Sequence, residues 1–201
     1  MCPFIIFFCQ ESVSTMKANW NDLSARVSVC RECGLCAGRK HTVLGEGCVS
    51  APVMFVGEGP GEQEDNTGRP FVGKAGQLLD RMLGAIDLSR EKNAYICNIV
   101  KCRPPNNRAP VEDEAAACLP YLREQFVLIQ PKIIVCLGAT AAKYLLDPNI
   151  RITRDRGVWH NKNGVDFIAT FHPAALLRNP DQKYAAWDDM QAIRDKLREL
   201  E

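Results

Sequence analysis

The chain has 201 residues, of which 46% are hydrophobic and 24% charged, enough apolar material for one compact domain with a substantial core. A net charge of +1 excludes the overall basic field by which many nucleic-acid binders announce themselves, so any nucleic-acid contact must come from local patches. Ten cysteines, unevenly clustered in a chain this long, read as metal ligands in a reducing cytosol rather than as the disulfide frame of a small secreted protein.

In chain order, the opening MCPFIIFFCQ holds an apolar run, Pro3 to Cys9, far shorter than the ~20 residues that cross a bilayer, and it lacks the basic flank of a signal peptide. Residues 1–16 are therefore expected to be a disordered or artefactual extension, with Met16 an alternative start, and residues 17–201 to form a single domain without a membrane segment. A short helix over Trp20 to Val29 leads into the cysteine-rich CRECGLCAGRK. The apolar run Val53 to Val56 reads as a buried strand running into GEGPG. KAGQLLDRMLGAI spaces Leu78, Leu79, Met82, Leu83 and Ile86 as an amphipathic helix. AYICNIV and KIIVCLG supply two more strands, separated by a helical region from Val111 to about Ile129 in which Pro120 predicts a kink or a new start. GATAAKYLL gives another helix, DFIATF a fourth strand and AAWDDMQAIRDKLREL a closing amphipathic helix. This alternation predicts an α/β fold, a three-layer αβα sandwich around a central, mostly parallel, four-stranded sheet, with a cysteine-ligated lobe. GEGPG, Asn98 and His172 fall at or just beyond the carboxyl ends of their strands, where such folds bind ligands.

Cys30, Cys33 and Cys36 form C-x2-C-x2-C, and Cys102 and Cys118 lie far downstream. Soft thiolates suit iron–sulfur clusters and zinc alike, so spacing leaves the metal open, as it leaves open whether Cys33 or Cys36 is a ligand. A ferredoxin-type run is disfavoured because it needs a cysteine where Lys40 stands. Cys97 and Cys136, inside apolar strands, read as small core residues, and so does Cys48. Two phosphate-loop patterns fail. The dinucleotide pattern needs glycine at Glu62, and Gly68 to Ala75 ends in alanine where a nucleoside-triphosphate loop needs a magnesium-binding hydroxyl.

Taken together, GEGPGEQEDNTGRPFVGKAGQLLDRML, NIVKCRPPNNRAP and FHPAALLRNP resemble, in the right order, the type-4 uracil-DNA glycosylases. The resemblance runs from Cys30 to the final helix. It implies a 4Fe–4S cluster on Cys30, Cys33, Cys102 and Cys118, with Cys36 an extra cysteine. It implies a uracil pocket made of Glu58, Gly59, Pro60, Glu64, Phe71, Asn98 and His172. The implied activity is hydrolysis of the N-glycosidic bond of uracil in single- and double-stranded DNA by base flipping, which leaves an abasic site and initiates base excision repair in the cytoplasm. The implied partner is uracil-containing DNA, and the enzyme is expected to be a monomer. Glu58, Asn98 and His172 are the expected catalytic residues, although either Glu58 or Glu64 suits the task of positioning water or steadying a sugar cation. Related enzymes carry a water-activating aspartate at Gly59, which this chain lacks. Leu176, Leu177 and Arg178 are candidates for DNA contact, and Lys101, Arg103, Arg108, Arg151, Arg154 and Arg156 for phosphate contacts. A relative that traps uracil-DNA through a histidine in a basic insertion is disfavoured, since nothing is inserted between Phe71 and Ala75. An iron–sulfur electron carrier is disfavoured by Asn98 and His172 in their motifs.

Overall fold

The computed structural model describes residues 19–200; the proposed extension, residues 1–16, lies outside them. Helix α1 (Trp20–Val29) is capped by the Asn19 side chain, which accepts from the Asn21 N–H at 2.9 Å. A 3-10 turn (Gly34–Ala37) and a short strand β1 (Glu46–Gly47) lead to β2 (Val53–Gly57), α2 (Glu62–Thr67), α3 (Lys74–Gly84) and β3 (Ala94–Asn98). A second 3-10 turn (Pro105–Asn107) precedes α4 (Glu112–Ile129) and β4 (Ile133–Leu137). The chain closes with α5 (Ala139–Leu145), α6 (Ile152–Asp155), β5 (Trp159–Lys162), β6 (Val165–Thr170), α7 (Pro173–Arg178) and α8 (Gln182–Glu199).

The sheet has six strands in the order β1-β3-β2-β4-β6-β5. The four expected strands are its parallel centre, and the expectation of a four-stranded sheet is corrected by two antiparallel edges, β1 on β3 and β5 on β6. Both edges lack a long apolar run: β1 is two residues long and β5 reads WHNK, turning into β6 through Asn163 and Gly164, both at positive φ.

Strand alternation sorts the core onto the two sheet faces. Met54, Val56, Cys97, Ile134, Cys136, Phe167 and Ala169 pack with α4 residues such as Leu119, Leu122 and Phe126. Val53, Phe55, Ile96, Ile133, Val135 and Ile168 pack with Leu79 and Leu83 of α3 and Met190 and Ile193 of α8. Continuous apolar runs in the central strands follow from burial on both sides. Of the expected kink or new start at Pro120, the new start does not occur: α4 runs continuously through it. The proline is on the exposed face, where water can solvate the carbonyl that its missing N–H leaves unpaired.

The order of the parallel strands brings the carboxyl ends of β2, β3, β4 and β6 to one edge of the molecule. The chain steps from β2 to β3 on one side and then crosses back to β4 on the other, so a crevice opens at that edge. Among the described residues no helix is long and apolar enough to cross a membrane.

Candidate active site

An open cleft of about 510 Å³ lies over those strand ends. Its walls include Glu58, Gly59, Pro60, Glu64, Phe71, Asn98 and His172, so all seven residues expected to form a pocket are brought together, and Arg178 joins them at the rim.

Asn98 closes β3 and is 1% exposed, yet its side-chain oxygen has no hydrogen-bond partner. A buried acceptor left unmade costs on the order of 1–3 kcal/mol, so such an atom in a cleft is held ready for a donor from outside the chain. Gly57, at the end of β2, makes room for it: a Cβ there would stand 2.5 Å from that oxygen and 2.6 Å from the Phe71 ring. Phe71 is 6% exposed and its ring lies 5.6 Å from that of His172, tilted by 31°. Its φ of 51° is uncommon for an aromatic residue.

Two features that the sequence reading missed hold Phe71 in that conformation. Arg90, only 7% exposed, donates to the Pro70 and Phe71 carbonyls at 3.0 and 3.1 Å and pairs with Asp80 at 2.7 Å. Gly76 of α3 lets the Phe71 carbonyl approach so closely that a Cβ would sit 1.8 Å from it. No motif flags Arg90, because its partners are main-chain oxygens about twenty residues upstream.

The two glutamates differ in their surroundings. Glu64 accepts from the Gly61, Val72 and Gly73 N–H groups at 3.1, 2.9 and 2.9 Å, pinning the GEGPG loop to the segment after Phe71. Glu58 accepts one short hydrogen bond from the Thr140 hydroxyl and otherwise faces the cleft. Gly59 is packed against Val100 and Pro104, leaving no room there for the aspartate of related enzymes: a Cβ would meet Val100 at 2.9 Å.

His172 caps α7, its Nδ1 accepting from the Ala174 N–H at 3.1 Å. That bond assigns the ring proton of the neutral side chain to Nε2, which is thereby a donor. Burial, then the nearby Arg178 charge, lowers its pKa to about 4, against a smaller opposing effect of Glu64. Gly138, at φ 88°, lets His172 pack beside the start of α5: a Cβ there would stand 2.9 Å from that of His172.

Burial removes Leu176 and Lys101 from the candidate DNA contacts. Leu176 is 1% exposed and packs with Phe171 and Ala186, because it falls on the inner face of α7. Leu177 is 42% exposed, and Arg178 is exposed too. Lys101 is buried and cannot meet a phosphate at the surface. Arg108 pairs with Glu114, Arg154 with Asp155 and Arg156 with Asp189, so these cations are already engaged within the chain.

Cys30, Cys33, Cys36, Cys102 and Cys118 line a second, smaller cavity. Among the described residues no group of three or more His, Cys, Asp or Glu is arranged to hold a single metal ion. Two of the five sulfurs receive hydrogen bonds from the described residues: Arg39 Nη1 donates to Cys102 and the Lys101 N–H to Cys118, both at 3.2 Å. Burial raises the Cys33, Cys102 and Cys118 thiols, the last to about 11, while these donors act in the opposite sense. Asp65, 2% exposed, ties this region to the cleft by accepting from the Lys40 and His41 N–H groups.

A family model described as the uracil DNA glycosylase superfamily matches residues 44–191. The chain is 49% identical over 164 residues to a type-4 uracil-DNA glycosylase of Thermotoga maritima, covering 78% of this chain and 82% of the relative. It is 43% identical to a type-4 enzyme of Saccharolobus solfataricus, over 89% of this chain and 87% of the relative. A type-5 uracil-DNA glycosylase of Pyrobaculum aerophilum is 34% identical over 66% of each chain.

Two outcomes follow from this geometry. Arg90→Met strands two buried carbonyls and should lower the unfolding free energy in urea by about 2–3 kcal/mol, with loss of the Phe71 conformation. For His172, the folded pKa of about 4 lies below the ordinary 6.5. The unfolded chain therefore binds more protons between these values, and stability should fall as pH drops through that window, a slope that His172→Gln reduces in pH-dependent denaturation.

Proposed function

The chain belongs to the type-4 uracil-DNA glycosylase family, and we propose that it removes uracil from DNA by hydrolysing the bond between base and deoxyribose. The observation that carries this reading is the buried, unpartnered side-chain oxygen of Asn98 in the cleft. An asparagine amide offers one acceptor and one donor, which match N3–H and O4 of uracil and clash with the exocyclic amine of cytosine. A wrong base leaves buried polar groups unpaired, and that penalty supplies discrimination.

The base must leave the duplex stack, because its reacting bond and polar edge are otherwise hidden. Phe71 gives it a flat apolar face. As the glycosidic bond breaks, positive charge builds on the sugar and negative charge on the departing uracil. Neutral His172, with its proton on Nε2, donates to the uracil O2 and stabilises that anion without having to lose a charge of its own. Glu58 faces the cleft and takes the part of positioning water or steadying the sugar cation, whereas the three backbone bonds of Glu64 make it a pin for the pocket walls. Leu177 and Arg178, exposed beside His172, are placed to meet the DNA at the gap left by the flipped base. Single- and double-stranded substrates, a monomeric state, a cytoplasmic location and a single domain over residues 17–201 complete the reading.

The second cavity, lined by thiols, suits a 4Fe–4S cluster on Cys30, Cys33, Cys102 and Cys118, the set that the family resemblance implies, with Cys36 as the extra cysteine. When bound, such a group cross-links α1, the cysteine loop, the segment after β3 and α4.

The test is release of free base from oligonucleotides bearing one uracil, single- and double-stranded. Catalytic release with thymine untouched supports the reading, and a folded protein that releases nothing refutes it. Asn98→Ala and His172→Ala should each keep the fold and lower the single-turnover rate by about 10²–10³-fold, the scale for removing one such polar contact. The wild-type rate should show the His172 ionisation only near pH 4.

A further inference from the structure

Lys101 is among the largest fully buried side chains, at 1% exposure. Its Nζ donates to the Asn98 carbonyl at 2.7 Å, its N–H donates to Cys118 Sγ at 3.2 Å, and its carbonyl accepts from the Val43 N–H at 2.7 Å. It also lines the cysteine cavity. Among the described residues no carboxylate pairs with this ammonium. A buried ammonium without a countercharge is costly, and an anion in the adjoining cavity offsets that cost. The cavity that it lines carries five thiols together with Glu32, Arg39 and Tyr121.

We propose that Lys101 is a positioning residue that couples the cysteine cavity to the uracil pocket, its ammonium balanced by the anionic thiolate-bound cluster on one side and fixing the backbone of Asn98 on the other. The inference rests on the glycosylase and cluster reading above. Four thiolates outweigh the positive charge of the core they bind, so the assembly is a net anion and attracts the lysine. The lysine in turn caps the carboxyl end of β3, just before the Ile99 and Val100 N–H groups donate to the Gly57 and Glu58 carbonyls. Arg39, bonded to Cys102, is a second cation on the same cavity, but it has no bond to the pocket. Among the described cations that line that cavity, the coupling therefore belongs to Lys101.

Coupling is reciprocal, so occupation of the pocket must be felt at the cluster. In the wild-type holoprotein, saturating free uracil should change the visible circular dichroism of the cluster, and it should not do so in Asn98→Ala. Lys101→Met should lose cluster, counted as iron and sulfide, or keep it with the uracil response abolished and the single-turnover rate down at least tenfold. Lys101→Arg should restore part of both. A Lys101→Met protein with full iron, an unchanged uracil response and an unchanged rate would overturn the proposal. So would a wild-type cluster spectrum that ignores bound uracil, a result that holds even if the variant fails to fold. If the wild type itself releases no uracil, the functional reading fails; if it releases uracil and Lys101→Met matches it throughout, only the coupling fails.

Discussion

The site depends on one constraint: a polar side chain, Asn98, must be kept dry and unpaired at the end of a central strand. Proteins seldom tolerate a buried acceptor without a donor, and the surrounding structure is arranged to permit it. The parallel register places Asn98 beside Gly57, whose missing side chain leaves the space that its oxygen and the Phe71 ring occupy. Phe71 in turn is held at an unfavourable φ by Arg90 and by its close approach to Gly76. Backbone strain of this kind persists only when several contacts fix it at once. The pocket is thus made before any ligand arrives, which is what discrimination by hydrogen bonding requires.

Electrostatics reinforce this pre-organisation. His172 is kept neutral by burial and by Arg178, and the N–H of Ala174 fixes where its proton resides. Glu64 spends its carboxylate on three main-chain donors, while Glu58 is held by Thr140 and left facing the cleft. Two acids close in sequence therefore have different surroundings, and only contacts to distant segments create that difference.

Much of the fold and of the site was legible in the sequence. Continuous apolar runs ending in glycine, asparagine or a histidine–proline pair located four parallel strands and their functional ends, and the long motifs gathered seven residues that do line one cleft. What escaped notice depended on contacts without a local pattern. The edge strands are short and polar, Arg90 and Thr140 act through partners far away in sequence, and Lys101 reads as a surface cation, whereas it is buried against the cysteine cavity and bonded to the Asn98 carbonyl. Leu176 and Leu177 could not be told apart from sequence, since adjacent helical positions point about 100° apart and only packing decides which faces inward.

The central claim, that the Asn98 oxygen accepts from N3–H of uracil, is tested most directly by inhibition of base release with free uracil and with 3-methyluracil, which lacks that donor. The account predicts that uracil inhibits and that 3-methyluracil is weaker by at least tenfold, with the difference abolished in Asn98→Ala. Equal inhibition by the two bases would contradict it.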